Sequence, residues 1–168
     1  MESGSSPAPL APRRTATLAC VSEWHTPIKS AGRDGPMEAI GLVYGEITAE
    51  RVSATVPVSD VVRQPFGIVN GGVFAMIAES IASAATALAV TADGSIAMAQ
   101  ANSATFIRPI SDGTIHADAR RRHAGRTTWI WDVDITDDEG RLCAAVRMTV
   151  AVRPAPADVK GSGASEAG

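Results

Sequence analysis

"NGGVFAMIAESIASAATALAV", residues 70–90, decides the fold of this chain. After Asn70 and a pair of glycines, the stretch carries a single charged side chain, Glu79, among apolar and small residues. Asparagine is a preferred helix N-cap, so the sequence predicts a helix over residues 71–90. A helix that is apolar on nearly all sides has to be buried on most of them. The remainder of the chain must therefore provide its cover.

Segments in which apolar and polar residues alternate, before and after this helix in the sequence, predict strands that can cover it. Two strands are predicted before the helix, at roughly 38–47 and 51–58. After the helix, turn signals at 111–113, 124–125 and 137–140 separate four further segments, for which we predict an antiparallel meander. A sheet and a helix that bury each other's apolar faces form a two-layer α+β domain. The four segments are "SIAMAQANSATFIRP", "GTIHADARRRH", "TTWIWDVDIT" and "RLCAAVRMTVAV".

Composition limits the domain organisation and the partners. With 168 residues, of which 45% are hydrophobic and 20% charged, the chain has the size of one globular domain. The Pro-, Gly-, Ala- and Ser-rich ends predict disordered tails at 1–16 and 155–168, around a domain of 17–154. A net charge of −3 gives no sign of a nucleic-acid partner. Two distant cysteines, Cys20 and Cys143, indicate neither a metal site nor a disulfide framework and predict a cytoplasmic protein.

The apolar stretch at residues 73–90 is almost long enough to cross a membrane. Glu79 would be costly near the middle of a bilayer, and much of the stretch is only alanine. The segments around it also read as a soluble β domain. We therefore predict a core helix and no membrane partner.

The polar residues of the helix form one stripe: Glu79, Ser83 and Thr86 follow at i, i+4 and i+7, with Ser80 at the edge. One interpretation is a solvated face or a helix–helix contact in a dimer. The other is a polar strip in a cleft, with a carboxylate placed to act on a substrate. A carboxylate desolvated in such a cleft suits acid–base or nucleophilic chemistry near neutral pH.

The start of the helix favours the second interpretation. The first N–H groups of a helix have no partner within it, and the helix dipole favours negative charge at that end. At Gly71 and Gly72 no side chain hinders the approach of a ligand, so a developing thioester or ester oxyanion could be bound there. The alternative is an ordinary tight turn capped by Asn70.

These residues resemble a known family. The segments "FGIVNGGVFAMIAESIAS", "SATFIRPI", "HAGRTTWIWDV" and "DDEGRLCAAVRMTVAVRP" are similar to hotdog-fold acyl-CoA thioesterases, in the 4-hydroxybenzoyl-CoA thioesterase branch that uses a helix glutamate. The resemblance implies a hotdog fold, with the sheet wrapped around the long helix. It also implies hydrolysis of an aryl- or acyl-CoA thioester to a free acid and coenzyme A. No cofactor is implied, since coenzyme A is part of the substrate.

The resemblance also assigns site residues. Glu79 matches the catalytic carboxylate, acting as nucleophile or as general base, and Gly71 supplies the N–H that polarises the thioester carbonyl. Gln64 matches the amide beside that carbonyl, and Ser83 a helix hydroxyl near the carboxylate. Contacts to the coenzyme A nucleotide fall on Arg108, Arg126 and Thr127.

The chain departs from the family at one position. Many relatives have histidine before the paired glycines, whereas Asn70 stands here, and an amide cannot carry a positive charge. Chemistry that needs a protonated group at this point is excluded, but hydrolysis by Glu79 is not. Alanines at 84, 85 and 87 are small where an acyl pocket would lie and offer no charge to a ring substituent. Another aryl or acyl group therefore fits as well as hydroxybenzoyl.

Two other functions on this fold fit the sequence less well. A non-catalytic acyl-CoA-binding module would not need Glu79, and a dehydratase on the same fold would need a histidine-based site that this helix lacks. His116 and His123, in or at the end of a strand, are expected to be solvated. Trp129 and Trp131 share one strand face and are expected in a core or an interface.

Each active site is predicted to be shared between two subunits. Residues 71 and 79 are about 12 Å apart along a helix and about 80° apart around it, too far for one carbonyl group to contact both. Two helices that meet antiparallel across a twofold axis would bring Gly71 of one near Glu79 of the other. The resemblance implies this homodimer and its association into a homotetramer.

Overall fold

The long helix is present as predicted, and a six-stranded antiparallel sheet packs against it. The computed structural model describes residues 35–156. The α+β hotdog architecture expected from the sequence is confirmed. Short 3₁₀ turns at Asp60–Val62 and Thr91–Asp93 flank the main helix. The other elements are α1 (Pro36–Ala39), β1 (Val43–Ile47), β2 (Arg51–Pro57), α2 (Gly71–Val90), β3 (Ser95–Phe106), β4 (Thr114–Ala124), β5 (Thr128–Thr136) and β6 (Leu142–Pro154).

The order of strands in the sheet is β1-β2-β4-β5-β6-β3, so the predicted four-stranded meander is wrong in one place. β4, β5 and β6 follow one another as expected, but β3 pairs with β6 and β4 pairs with β2. The residues at 111–113 therefore belong to a crossover rather than to a hairpin turn. This crossover leaves the edge of the sheet and passes the start of α2, where Val69 N donates to Ile110 O at 2.8 Å.

The first strand is shorter than predicted, because the expected strand at 38–47 begins with a helical turn. Pro36 occupies the first turn of α1, where its missing N–H has no cost. Gly41 then adopts a left-handed conformation, with φ of +73°. The backbone becomes extended only from Val43 onward. β2 ends at Pro57, one residue before the predicted end.

The core lies between α2 and the inner face of the sheet, where strand residues alternate between buried and more exposed positions. Trp129 and Trp131 both lie in this core, which confirms the prediction for them. The helix contributes small side chains as well as large ones, and these let it approach the sheet closely. Its buried residues are Phe74, Ile77, Ala78, Ile81, Ala82, Ala85, Thr86 and Val90.

Length and composition alone would allow the segment Gly71–Asp93 to cross a membrane, and 44% of its most apolar window is buried in this chain. One side of α2 packs on the sheet, as in a core helix. The predicted tails lie outside the described residues, except for 155–156. Residues 17–34 of the predicted domain, with Cys20, also lie outside them.

Candidate active site

Asn70 caps α2 as predicted. Its Oδ1 accepts a hydrogen bond from Gly72 N at 2.8 Å, and its backbone oxygen accepts one from Val73 N at 2.9 Å. Gly71 N–H has no acceptor within residues 35–156. One donor at the positive end of a 20-residue helix is therefore free to bind an anion.

Phe106, at the end of β3, packs closely against Gly71. A Cβ atom at Gly71 would lie 3.0 Å from two ring carbons of Phe106, so a side chain there would require the ring to move by a few tenths of an ångström. The same ring packs on Phe74 with 6.3 Å between centroids and remains 56% exposed. Phe106 thus forms one wall beside the free N–H. The residue pattern alone predicts no role for Phe106, although it stands in the "SATFIRPI" segment.

Gln64 begins a tight loop just before the helix. Its backbone N–H donates to Ile68 O at 2.8 Å, and its carbonyl accepts from Gly67 N at 2.9 Å. Arg63 Nη1 holds the turn from outside by donating to Gly67 O at 3.1 Å. The Gln64 side chain is half-buried and makes no hydrogen bond within the described part of the chain. Its amide is therefore available to a ligand, as the predicted role requires.

Glu79 and Ser83 lie on the side of α2 that the sheet leaves partly open. The Glu79 side chain is exposed and has no hydrogen-bond or ion-pair partner among residues 35–156. The Ser83 hydroxyl oxygen is buried, also without a partner. The desolvated carboxylate predicted from the sequence is therefore not formed by one chain. The Glu79 carboxylate remains available to a substrate or a second subunit, whereas the Ser83 hydroxyl oxygen is shielded from solvent in one chain.

Thr86 does not belong to the polar strip, which corrects the prediction for it. Its side chain is fully buried between helix and sheet. Trp131 Nε1 donates to Thr86 Oγ1 at 2.9 Å, and Oγ1 donates to Ala82 O at 2.8 Å. A buried indole N–H needs an acceptor, and this hydroxyl supplies it.

Gly71 and Glu79 lie in one uninterrupted helix, so their separation is the expected one of about 12 Å. A single chain therefore does not bring the free N–H and the carboxylate to the same carbonyl group. In one chain, the Gly71 N–H and the Glu79 carboxylate remain two separate groups, each without a partner among residues 35–156.

The three predicted nucleotide contacts lie at opposite ends of β6. Arg108 Nη1 donates to Leu142 O at 3.1 Å, at the beginning of that strand. Thr127 O, next to Arg126, accepts from Val152 N at 3.0 Å, near its end. Ten strand residues span about 33 Å, so one chain does not gather these side chains into one site. Arg108 lies at the Gly71 end of the domain, and Arg126 at the other.

Residues 119–126, "ARRRHAGR", form a basic run whose charges are largely neutralised by nearby carboxylates. Arg120 pairs with Asp118, Arg122 with Asp132, and Arg121 contacts Glu50 and the face of Trp129; these groups form a surface network. Arg126 is exposed and has no partner in the described chain. It is the arginine of this run that remains free to bind a phosphate.

The two histidines of the described chain, His116 and His123, both lie on β4. His116 Nε2 is 2.7 Å from Asp138 Oδ1, and Thr114 N donates to the other carboxylate oxygen at 3.0 Å. These two hydrogen bonds, that of His116 first, hold the pKa of Asp138 below its usual value. His123 is exposed, as predicted, whereas the His116 side chain is only partly exposed, at 43%, and is bound to Asp138. Within residues 35–156, no three His, Cys, Asp or Glu side chains could hold a metal ion together.

Comparison with known proteins identifies the family. Residues 66–144 match the family model of the thioesterase superfamily. The proofreading thioesterase EntH of Klebsiella pneumoniae is 34% identical over 67% of this chain and 82% of its own length. A thioesterase structure from Haemophilus influenzae superposes with a TM-score of 0.72 at 27% identity, covering 84% of this chain and 94% of its own. The structure of a mutant thioesterase from Pseudomonas aeruginosa superposes with a TM-score of 0.70 at 29% identity, covering 77% of this chain and 93% of its own.

Proposed function

Since the chain belongs to the thioesterase superfamily, we propose that Glu79 and the Gly71 N–H form its active site. The chain is a thioester hydrolase, and its reaction is the hydrolysis of acyl-CoA thioesters. The relatives favour this over a binding module without turnover. The observation that carries the site assignment is the pair of unpartnered groups on one helix: a free N–H at its positive end and a free carboxylate eight residues on.

In the proposed mechanism, the Gly71 N–H donates to the thioester oxygen, and the Gln64 amide positions the same group. As general base, Glu79 takes a proton from water, the hydroxide adds to the carbonyl carbon, and the C–S bond breaks. The thiolate then takes up the proton held by Glu79. As nucleophile, Glu79 would instead displace the thiolate and form a mixed anhydride, which water hydrolyses. An oxyanion donor of this kind contributes about 3–4 kcal/mol to the stability of the transition state.

A homodimer completes the site in this proposal. The face of α2 with Glu79 and the free edge of β3 are both uncovered in one chain, and β3 pairs only with β6 among the described strands. Met98, Phe106 and Ile107 on or next to this strand are each about half exposed. A second copy that covers this surface would remove an open strand edge and desolvate Glu79. Two antiparallel α2 helices would then place Gly71 of one chain beside Glu79 of the other.

The same arrangement accounts for the divided nucleotide contacts. Thr127 lies at the end of the domain where α2 finishes, because Ala155 N, just after β6, donates to Gly94 O. In an antiparallel pair, that end of one subunit lies near the Gly71 end of the other. We therefore propose that Arg108 of one subunit, with Arg126 and Thr127 of the other, bind one coenzyme A. Arginine is suited to this because its planar fork binds phosphate with two hydrogen bonds.

The substrate proposed is an aryl- or acyl-CoA thioester, with 4-hydroxybenzoyl as one candidate acyl group. Support comes from the half-exposed Phe106 ring beside Gly71, which the buried Phe74 backs, since aromatic rings pack favourably on one another. Assembly of dimers into a tetramer, and a cytoplasmic location, remain predictions that rest on the sequence resemblance and the cysteine content.

Thiol release from a panel of coenzyme A esters tests the proposal. The panel comprises benzoyl-CoA, 4-hydroxybenzoyl-CoA and aliphatic esters of increasing length, followed with a disulfide reagent. We expect release well above spontaneous hydrolysis, with an aryl ester among the best substrates. Saturable binding of these esters without thiol release would contradict the proposed function and support the binding module.

A further inference from the structure

The two faces of β3 have different neighbours. Phe106 packs on Gly71, and Ala104 packs on the core, so even-numbered residues at this end face the helix. Ser103 and Thr105 face the other way and line a groove of about 410 Å³ on the outer surface. Strand side chains alternate between faces, so Asn102 faces the helix too.

Asn102 makes a direct hydrogen bond to the backbone of α2. Its Nδ2 donates to Ala75 O at 2.8 Å, across 27 residues of sequence. A carbonyl oxygen can only accept, so the amide must present its nitrogen here. In the described part of the chain, no other sheet side chain bonds to the helix backbone. The second N–H and Oδ1 of Asn102 have no partner among residues 35–156.

The Ala75 carbonyl belongs to the helical turn that holds Glu79. In an α-helix, the carbonyl of residue 75 accepts the backbone N–H of residue 79, so Asn102 and Glu79 share one acceptor. The two helix residues are about 6 Å apart along the axis and about 40° apart around it. Long helix side chains lean back over the preceding turn. The Glu79 carboxylate therefore extends toward the turn that Asn102 clamps.

We propose that Asn102 is a positioning residue for Glu79. This role rests on the proposed function, in which Glu79 is the catalytic carboxylate. The first amide N–H fixes the turn against β3, and the second is available to the carboxylate when the site is assembled. Apart from Asn102, the side chains that the strands pack on α2 are uncharged and mostly apolar, whereas the charged pair Asp132–Arg147 lies on the opposite face of the sheet. No other charged group of the described chain competes for Glu79.

The test compares Asn102→Asp with the matched control Ser103→Asp, which adds the same charge on the opposite face of the same strand. In Asn102→Asp an acceptor replaces the donor and a negative charge lies near Glu79. A like charge disfavours ionisation, so the acid limb of the kcat–pH profile should move up by about one pH unit. Ser103→Asp should leave the limb in place. Equal shifts in both variants, or none in Asn102→Asp, would overturn the inference.

Asn102→Ala keeps the inference testable if the aspartate variant fails to fold. Loss of one hydrogen bond that holds the catalytic turn should lower kcat about three- to tenfold with KM unchanged. An unchanged kcat would overturn the role of Asn102, and so would a fall that follows only a loss of folded protein in thermal unfolding. Glu79→Gln is measured alongside. If it retains full turnover, the proposed function fails; if it alone is inactive, only the positioning role fails.

Discussion

Glu79 and Thr86 lie on the same helix, about 10 Å apart, and have opposite surroundings. Thr86 is fully buried, accepts a hydrogen bond from Trp131 and donates one to Ala82. Glu79 is exposed, with no partner in the described chain. Because they are seven residues apart, a helical wheel places both on one stripe. The sheet separates them, because Thr86 lies with Ala82 on the side of α2 that the sheet buries, whereas Glu79 lies on the side that it leaves partly open.

The comparison separates polar groups that serve the fold from groups left for a ligand. Arg122 and Arg126 show the same contrast on the surface. Arg122 pairs with Asp132 at 3.2 Å, whereas Arg126 has no partner among residues 35–156. If the distinction is sound, substitutions of the polar groups that have partners in the chain lower its stability. Substitutions of the unsatisfied groups change catalysis or binding instead.

The largest expected effect belongs to Glu79→Gln. The amide keeps the size of the side chain but can act neither as base nor as nucleophile, so kcat should fall by about 10²–10⁴-fold. The midpoint of thermal unfolding should fall by little or not at all, because the carboxylate has no partner within the described chain and glutamine keeps an oxygen that can accept a hydrogen bond. Steady-state kinetics and thermal unfolding on the same preparation check both parts. Near wild-type turnover would mean that the site lies elsewhere.

Thr86→Val should lower stability and leave turnover nearly unchanged. Valine has nearly the same shape but leaves the Trp131 N–H buried without an acceptor, which should lower the free energy of unfolding by about 1–3 kcal/mol. Turnover per folded molecule should stay close to wild type. Denaturant unfolding gives the first quantity, and active-site-normalised kinetics the second. A variant that is as stable as wild type but inactive would place Thr86 in the site and break the distinction.

Arg126→Ala is expected to have the smallest effect. One exposed ion pair is worth about 1 kcal/mol, so KM for a coenzyme A ester should rise about fivefold. KM for the matching pantetheine thioester, which lacks the nucleotide, should not change. Arg122→Ala is the control, because that arginine is already occupied by Asp132. Equal effects of the two substitutions on both substrates would remove Arg126 from the nucleotide site.

Local signals were enough to predict α2 and the six strands, but not the helical turn of α1 at the start of the first predicted strand. The Asn70 cap and the apolar run fixed both ends of α2, and alternation located the strands after it. Pairing order was not predictable in the same way, because it depends on contacts between residues far apart in sequence. β3 pairs with β6, whose first residue comes 36 positions after the end of β3. The turn signal at 111–113 looks the same in a hairpin and in a crossover.

The site was predictable in its residue types and less so in its surroundings. Gly71, Gln64 and Glu79 have the availability that their predicted roles need. Trp131 donates a hydrogen bond to Thr86 because the sheet covers that side of α2. Periodicity alone does not reveal which side the sheet covers. The contacts of Phe106 with Gly71, and of Asn102 with Ala75, join residues 35 and 27 positions apart.

A shared active site is the central claim, and mixed dimers of two inactive chains test it most directly. Glu79→Ala and Gln64→Ala chains are each confirmed to be severely impaired, then unfolded and refolded together. A mixed dimer would hold one site with both native residues and one with neither, so random mixing should restore roughly a quarter of all sites. If mixed dimers form and thiol release stays at the level of the parents, each site lies within one chain and the account is wrong.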